Sequence, residues 1–419
     1  MMRVRVLCFL VLGGCAGSAA ETRVTHDVAR GDFKRALTFY EQEGRSPQLL
    51  RALSEGVLLA AARAPDPEQR RAAFVELSML GTRAESLLEA LSAPVEPLIV
   101  RAEALRLRTE LGDDAARRTL RGLFDHPNPE ISDSAVLALR PEQDLPAVEA
   151  ALRSPRSGRR AAALTLLRKA KPEHRALLSE VARFDPSPQL RAAALYTLER
   201  YGAEAADALE AATQDSDEQV RAAALAGLAR VAPERAELLL DQQLGAAVST
   251  RSIDAAITLL SLQPARQEAR ARAALSAALS SPDATLRAQT AAALARLPSE
   301  RLDLAQLRAC LRVEKAPSVR LALALALGPE DPSAQRTLAE LSTSFSLIGA
   351  QAAAELAARS GKARTRLVAF STHTSALVRI TAARLIAREL RDPAPITQLL
   401  ADANWQVRDA AAGAVLNVM

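Results

Sequence analysis

The four histidines are the first residues to test for metal or acid–base chemistry. A zinc site or a catalytic site needs several ligating or titrating groups at short, defined spacing. The histidines are instead scattered, each in a different segment and none with a second ligand at metal spacing. We therefore expect surface or turn positions for all four, and no bound metal. They are His26, His126, His174 and His373.

The three cysteines do not indicate a disulfide framework or a nucleophile. Cys8 falls in an N-terminal segment that predicts export and removal, and Cys310 is alone inside a predicted helix. A single buried thiol of this kind packs as a small apolar side chain. Neither a glycine-rich phosphate loop nor a Ser/His/Asp arrangement is recognisable. The sequence predicts no catalytic residue and no cofactor, and we expect a protein that is not an enzyme.

Pairs of acidic residues have the right type for general acid–base work, but their places favour another role. Asp113 and Asp114 precede a predicted helix, and Asp215 and Asp217 precede another. Carboxylates at the start of a helix accept its free N–H groups and interact favourably with its dipole. We interpret these acids as helix caps.

Arginine has the most informative spacing. From residue 71 onward a phrase recurs about every thirty residues: an apolar residue, Arg, two small residues, Ala, three more residues, and Leu. The clearest copies run from Leu190 to Leu198 and from Val220 to Leu228. A period of this length is typical of a solenoid of stacked helix pairs. The aligned positions are Arg71, Arg101, Ser132, Arg160, Arg191, Arg221, Ser252, Arg287, Arg320, Gly349, Arg379 and Arg408.

Each period has the length of two helices and two turns. Val220, Ala224 and Leu228 are four residues apart and share one stripe of a helix predicted over residues 218–231. Residues 204–213 predict a shorter first helix, and turn and capping residues lie between the two. The sequence therefore predicts an all-α fold, a right-handed α-solenoid of about twelve stacked helix pairs.

The composition agrees with that fold. Apolar residues make up 49% of the chain, but aromatic residues make up only 3%, so alanine and leucine must build the core. Alanine is the strongest helix former and lets helices approach closely. No single pair can bury its own apolar face, and each pair must pack on its neighbours.

The repeated phrase resembles the HEAT repeat, in particular the short form named after phycobilisome lyases. The residues that carry the resemblance run from Asp185 to Leu198, from Asp215 to Leu228 and from Asp402 to Val415. The resemblance extends over residues 66–419. It implies a fold and is nearly silent on function, because this repeat serves many roles.

One arginine per repeat at one helical position predicts a row along the solenoid, and two interpretations are open. The row could be a basic ladder for phosphates or acidic peptides. Alternatively, each arginine bonds turn carboxylates and helix-end carbonyls of adjoining repeats, as the resemblance to HEAT repeats implies, with Asp185 and Asp215 as partners. We favour the structural role for this ladder, which consists of Arg160, Arg191, Arg221, Arg287, Arg320, Arg379 and Arg408.

The first residues predict an export signal. Arg3 and Arg5 precede a short apolar run over residues 6–12, too short to span a bilayer. The following Leu-Gly-Gly-Cys resembles the lipobox of bacterial lipoproteins, which implies removal of residues 1–14 and a lipid on Cys15. The alternative is an ordinary signal peptide cut after Ala19 or Ala20. Because Ala16 and not Asp follows the cysteine, the resemblance implies an exported, periplasm-facing protein held at the outer membrane.

The region after the signal predicts a short tether and a cap. We assign residues 15–23 to a lipidated tether, 24–63 to an N-terminal helical cap, and 64–419 to the solenoid. Within the cap, Gly31, Asp32, Phe33, Ala36 and Tyr40 are spaced as in the second helix of a tetratricopeptide repeat. This similarity covers only half of that motif, so we expect a cap over the first solenoid face.

The other end of the chain predicts an apolar last helix that starts at Trp405, the only tryptophan. A terminal repeat usually needs a polar outer face for solubility. Trp405 is expected to cover the final helix pair locally. The alternative is that Trp405 and the terminal helix dock a partner, because tryptophan is favoured at binding hot spots.

The charge distribution does not favour nucleic acid as a partner. The formal charge of +5 becomes +3 without Arg3 and Arg5, and acids are interspersed with the bases throughout. A nucleic-acid-binding protein concentrates its bases on one face. We expect a non-enzymatic scaffold that binds protein or peptide partners along a concave face lined by the second helices. A HEAT-like lyase or chaperone subunit, or less favourably a nucleic-acid-binding HEAT-like protein, is the alternative.

Overall fold

The computed structural model describes residues 19–168, 171–244, 249–261, 268–328, 330–357 and 361–419. Within these ranges the chain is all α, with α-helices, short 3-10 segments and turns and without a strand. The predicted fold class, an all-α solenoid of HEAT-like repeats, is confirmed. The chain divides into two compact units, residues 81–373 and residues 1–80 together with 374–419. Residues 1–18, including Cys15, lie outside the described residues.

The α-helices follow one another with few residues between them. In chain order they are α1 (Ala19–Ala29), α2 (Phe33–Gln42), α3 (Pro47–Ala62), α4 (Pro67–Leu80), α5 (Glu85–Leu91), α6 (Leu98–Glu110), α7 (Asp114–Arg121), α8 (Pro129–Ala135), α9 (Pro141–Leu152), α10 (Ser157–Leu166), α11 (Arg175–Phe184), α12 (Pro188–Leu198), α13 (Ala206–Ala212), α14 (Glu218–Val231), α15 (Pro233–Leu244), α16 (Thr250–Ser261), α17 (Glu268–Leu279), α18 (Ala284–Leu294), α19 (Leu304–Val313), α20 (Pro317–Leu327), α21 (Pro332–Leu341), α22 (Leu347–Ala357), α23 (Gly361–Ala369), α24 (Ala376–Leu390) and α25 (Trp405–Val418).

In the unit of residues 81–373, the even-numbered helices are the second helices of the pairs and stack in sequence order from α6 to α22. Each also packs on the first helix of its own pair, as α12 does on α11 and α20 on α19. The contacts bury one continuous core from Val136 to Ala352, made mainly of Leu and Ala. Each repeat therefore finds its apolar partner in the next repeat, as the sequence predicts.

Local capping explains where the second helices begin. The Asp217 carboxylate accepts the N–H groups of Gln219 and Val220 at 2.9 and 3.1 Å, which places the start of α14 at Glu218. Proline supplies the first residue of α8, α12 and α20, where its missing N–H costs no hydrogen bond. The helix predicted over residues 218–231 is confirmed. The helix predicted over 204–213 begins later, at Ala206, after a 3-10 segment over Glu199–Ala205.

The repeated arginine is, in most copies, the fourth residue of a second helix. This helical register corrects the residue assigned to the arginine position in the first copy of the repeat. The fourth residue of α4 is Arg70, which is buried and donates to the Ala64 carbonyl at 3.2 Å, whereas Arg71 is exposed. The sequence contains both arginines side by side, and only the helix start at Pro67 distinguishes them.

In the unit formed by the two ends of the chain, α3 and α4 pack against α25, and α2 packs against a 3-10 segment over Ala394–Ala401. Helix α25 is buried from Asp409 to Leu416 as a result. The apolar last helix, which Trp405 was expected to cover locally, is covered by the chain's own N-terminal helices α3 and α4. The predicted cap boundary at residue 63 also separates α3 from α4, although these two helices pack as a pair.

The N-terminal helices differ from the prediction in extent. Helix α1 begins at Ala19, so residues 19–23, assigned to the tether, are helical. It pairs with α2, whose N-cap Asp32 accepts the Arg35 N–H at 3.2 Å. Gly31, with φ of +78°, makes the tight turn between them in a conformation that glycine adopts without strain. The half motif therefore belongs to a complete helix pair.

Among the described helices, none combines the length and the apolar character that a membrane crossing requires.

We predict that Gly349→Ala destabilises the unit of residues 81–373. A Cβ atom at this position of α22 would overlap the backbone carbonyl of Ser344, so the turn before the helix would have to move. Overpacking of this kind costs about 1–3 kcal/mol, which exceeds the gain of about 1 kcal/mol that alanine normally brings to a helix. Urea unfolding monitored by circular dichroism measures the difference.

The matched control is Gly361→Ala at the start of α23, where an added Cβ meets nothing within 4 Å. This variant should be neutral or slightly stabilising. Equal urea unfolding midpoints for the two variants would contradict the overlap between an added Cβ atom at position 349 and the Ser344 carbonyl.

Candidate functional site

The arginine row forms ion pairs between successive repeats. The Arg160 Nε and Nη2 atoms donate to the two oxygens of Asp185 at 2.8 and 3.0 Å. The side chains of this pair are only 9% and 3% exposed. Arg160 Nη1 donates to the carbonyls of Ser154 and Pro155 in its own turn. One guanidinium thus joins the turn of its own repeat to the turn of the next.

The next arginine repeats this geometry and continues the chain of contacts. Arg191 donates to both oxygens of Asp215 at 2.8 and 2.7 Å, and its Nη1 donates to the Asp185 carbonyl at 2.8 Å. Arg221 in turn donates to the Asp215 carbonyl at 2.7 Å. Asp185 and Asp215 therefore each accept from two arginines of successive repeats.

Two further arginines later in the chain also donate to both oxygens of one carboxylate. Arg287 holds both oxygens of Glu314 at 2.7 and 3.0 Å, and Arg379 holds both oxygens of Asp402 at 2.7 and 2.9 Å. Arg320 departs from the pattern, because it pairs with Glu340, a residue of helix α21. The structure thus brings five of the seven predicted ladder arginines onto carboxylates of the chain.

The acid position, which holds Asp185 or Asp215 in the clearest repeats, lies two residues before the N-cap, and in two repeats it holds serine when the preceding arginine position does. Where Ser132 replaces the arginine, the next acid position holds Ser154, and where Ser252 replaces it, the next holds Ser281. The two hydroxyls still accept a backbone N–H of their turn at 3.2 Å, as Asp215 accepts that of Asp217 at 2.8 Å. The cap contact remains where the ion pair is absent.

The ion pairs change the acidity of the carboxylates. The hydrogen bond from Arg191 lowers the pKa of Asp215 below its usual range, and that from Arg287 lowers the pKa of Glu314. At Asp331, burial acts to raise the pKa, but hydrogen bonds from Ser333 and Arg308 outweigh it and bring the value to about 2. All three groups are charged at neutral pH. They act as structural anions and not as proton donors.

Three arginines of the row keep a free donor. The Nε atoms of Arg101, Arg221 and Arg408 are buried and have no hydrogen-bond partner among the described residues. Arg408, in the last repeat, lies with its guanidinium carbon 4.4 Å from the centre of the Phe33 ring. This cation–π contact joins the last helix of the chain to one of its first helices.

The other candidate residues are placed apart from one another. Trp405 is half-buried at the start of α25, and Cys310 is half-buried in α19. His174, expected at a surface or turn position, lies at the end of a short 3-10 segment over Pro172–His174 and is buried. His126 and His373 instead take the acid position of their turns, where His126 Nδ1 accepts the Asn128 N–H at 3.1 Å. Among the described residues no group of three His, Cys, Asp or Glu side chains could hold a metal ion.

A groove of about 390 Å³ lies between α9 and α11, on the side where the turns carry the ion pairs. Its apolar surface comes from Leu152, Leu177, Val181 and Phe184, and the Arg160–Asp185 pair forms part of its wall. The charged side chains of the rim contact one another, because Arg153 lies 3.5 Å from Glu149 and 3.3 Å from Glu180, and the second glutamate leaves the rim with one net negative charge. The groove can take an apolar side chain between charged edges.

Phe184 makes this groove a candidate site. It is the last residue of α11, it directly precedes the ion-paired Asp185, and 68% of its surface is exposed. Val313 has the same place before Glu314 in a later repeat and is 77% exposed. Sequence analysis missed both residues. The feature of the sequence that could have indicated them is a large apolar residue directly before the acid position.

The second helices offer little exposed apolar surface. In α14 the exposed side chains are the polar Glu218, Gln219 and Arg230, while seven of its residues are buried. Tyr196 on α12, with 57% of its surface exposed, is the largest exception in this region. That partners bind along the second helices stays a prediction.

Comparison with known families identifies the repeat. Residues 145–229 match the family model of HEAT repeats, and this segment contains α10, α12 and most of α14, with Arg160, Arg191 and Arg221. This segment of the chain therefore consists of HEAT repeats. No curated protein matches the chain.

Solved structures similar to it include karyopherins. A crystal structure of a Kap121p mutant shows 12% identity and a TM-score of 0.39, over 88% of this chain and 49% of that chain. A crystal structure of Kap121p bound to the extreme C-terminus of the protein phosphatase Cdc14p shows 13% identity and a TM-score of 0.38, over 90% and 50%. The chain spans about half the length of these karyopherins.

We predict that Arg160→Ala destabilises the protein more than Arg221→Ala. Removing Arg160 leaves the buried Asp185 carboxylate without its ion pair, which costs about 3–5 kcal/mol. Removing Arg221 breaks hydrogen bonds to the carbonyls of Asp215 and Ser216 and no ion pair, which costs about 1–3 kcal/mol. The shift of the urea unfolding midpoint measures both losses of stability. Equal shifts for the two variants would show that the ion pair between Arg160 and Asp185 adds no stability beyond the hydrogen bonds to carbonyls.

Proposed function

We propose that this HEAT-repeat protein is a non-enzymatic scaffold that binds an extended peptide segment of a partner protein. Repeat solenoids present long surfaces to such partners, because each repeat adds a similar rigid face beside the last. The observation that carries the proposal is the groove between α9 and α11, where the exposed Phe184 lies beside a buried ion pair. Aromatic side chains that are exposed and rigidly held are typical of binding hot spots.

The arginine row supports a protein partner over a nucleic acid. A phosphate-binding row needs free guanidinium groups on the surface. Here Arg160, Arg191, Arg287 and Arg379 donate both atoms of the fork to carboxylates of the chain. In the basic segment that begins at Arg153, three further bases also pair with carboxylates of the chain: Arg153 with Glu180, Arg156 with Asp133 and Lys171 with Glu142.

The proposed address is the periplasmic side of the bacterial outer membrane, with the lipid on Cys15. The support is the arrangement of Arg3 and Arg5, the apolar run over residues 6–12, and the tetrad that ends at Cys15. A single acyl chain gives only reversible binding and stable anchorage takes at least two, at about 0.8 kcal/mol per buried methylene. The similarity to lipoproteins implies more than two chains.

We predict that Phe184→Ala weakens partner binding and Val313→Ala does not. A photocrosslinking amino acid at position 184, introduced in the cell of origin, should yield an adduct with one protein, which mass spectrometry identifies. With that protein's peptide, Phe184→Ala should lower the affinity about tenfold or more, the effect of losing a hot-spot aromatic. Isothermal titration calorimetry measures the change.

Val313→Ala is the matched control, because Val313 is equally exposed and precedes an equivalent ion-paired acid. The same crosslinker at the exposed Leu238 should yield no adduct. An adduct with nucleic acid at position 184, or an equal effect of the two alanine variants, would overturn the proposal.

We predict that Cys15→Ser abolishes lipid labelling and releases the protein from the membrane fraction. The serine cannot accept a thioether-linked lipid, so the anchor is lost. Metabolic labelling with a fatty-acid analogue and cell fractionation check the result. The control Cys310→Ser changes a half-buried thiol far along the chain and should keep full lipid labelling. If the Cys15→Ser variant remains in the membrane fraction, the proposed anchor is ruled out.

A further inference from the structure

A buried pair of acids lies where α4 packs on α25. Glu76 of α4 is 7% exposed, and Asp409 of α25 is 3% exposed. Asp409 Oδ2 has no hydrogen-bond partner among the described residues. A buried carboxylate without a partner is strongly unfavourable in its charged form, because it has lost the solvation of water.

The two carboxyl groups are held close together by the helices around them. Gly413 follows Asp409 by one helical turn, and a Cβ added there would overlap the Glu76 carboxylate. The Glu76 carboxylate therefore lies directly against the backbone of α25. On its other side Glu76 Oε1 accepts a hydrogen bond from Arg384 Nη2 of α24 at 2.6 Å.

The charges around Asp409 leave it without a dedicated cation. On its own helix Arg408 acts on it, but that guanidinium lies over Phe33 and donates to the carbonyls of Asp402 and Ala403. On α4 the group that acts on it is Glu76, whose like charge opposes ionisation. On α24 the neighbouring cation is Arg384, which Glu76 already holds.

The remaining elements that pack on α25 add no compensating charge. The 3-10 segment Ala394–Ala401 has no ionisable side chain. On α3 the ionisable side chains are Arg51 and Glu55, and the charges that act on Glu55 are those of Arg51 and Glu21. The packing therefore favours a state in which Glu76 and Asp409 are not both ionised.

We propose that the contact between α4 and α25 is a proton-operated latch, closed while Glu76 and Asp409 together carry no more than one negative charge and loosened when both ionise. The latch holds the first repeat of the chain against the last. It does not depend on the identity of any partner, and so it stands independently of the proposed function.

The direction of the pH dependence follows from the acidity of Asp409. Burial raises its pKa to about 7, with Arg408 opposing the shift and Glu76 adding to it. Burial also raises the pKa of Glu76, against the hydrogen bond from Arg384. A raised pKa in the closed state means that the stabilisation is complete below the ordinary carboxyl pKa of about 4 and is lost as pH rises through about 7. The latch is therefore closed in mild acid and loosened in mild base.

Hydrogen exchange of the full chain at pH 6 and pH 8, corrected for the intrinsic rate, tests the latch. Asp409 has a pKa of about 7 in the closed state and an ordinary carboxyl pKa in the open state. The equilibrium constant for opening should therefore rise about tenfold between pH 6 and pH 8. Peptides from α4 and α25 should lose protection by that factor. Peptides from α12, in the other unit, should keep theirs, which separates the latch from global unfolding.

Two substitutions decide whether the pair is responsible. Asp409→Asn keeps the shape but cannot ionise, so protection of α25 at pH 8 should equal that at pH 6. Glu76→Gln removes the like charge and should also reduce the change. Glu55→Gln removes a half-buried carboxyl of the same unit and should leave the tenfold change intact. An unchanged pH effect in Asp409→Asn, or no effect in the original chain, would overturn the latch.

Discussion

The structure depends on one interaction, the arginine side chain that is bonded at once to its own turn and to the carboxylate of the next repeat. A helix pair of this size cannot bury its apolar face alone, so its neighbour must be held in register. The fork of Arg160 and the two oxygens of Asp185 impose that register through paired donors and acceptors. Because the pair is buried, loss of either partner costs more than the pair itself contributes.

The same interaction explains how the two ends of the chain differ from its middle. Arg408 of α25 donates to the Asp402 carbonyl, and the Phe33 ring lies over its guanidinium. Helices α3 and α4 cover the apolar side of α25. This covering brings Glu76 against α25, which carries Asp409, whereas Asp185 and Asp215 in the other unit are paired with arginines.

The ladder also shapes the surface that we assign to a partner. An ion pair held from two sides leaves the adjoining turn little freedom, and Phe184 directly precedes such a turn. An exposed aromatic side chain has only two rotatable side-chain bonds and so loses little conformational entropy on binding, which favours it as an anchor. The groove thus takes its geometry from a contact whose first role is structural.

The sequence by itself determined the helix pairs, their period, the capping residues and the arginine position, because these follow from contacts within about thirty residues. It also indicated that Asp185 and Asp215 would be arginine partners. Only the tertiary structure decided that Arg70 and not Arg71 occupies the first position, since one residue of helical register separates a buried side chain from an exposed one. The tertiary structure alone also showed that Glu76 lies near Asp409. More than three hundred residues separate the two in the sequence, and a repeating pattern does not predict contacts between the two ends of a chain.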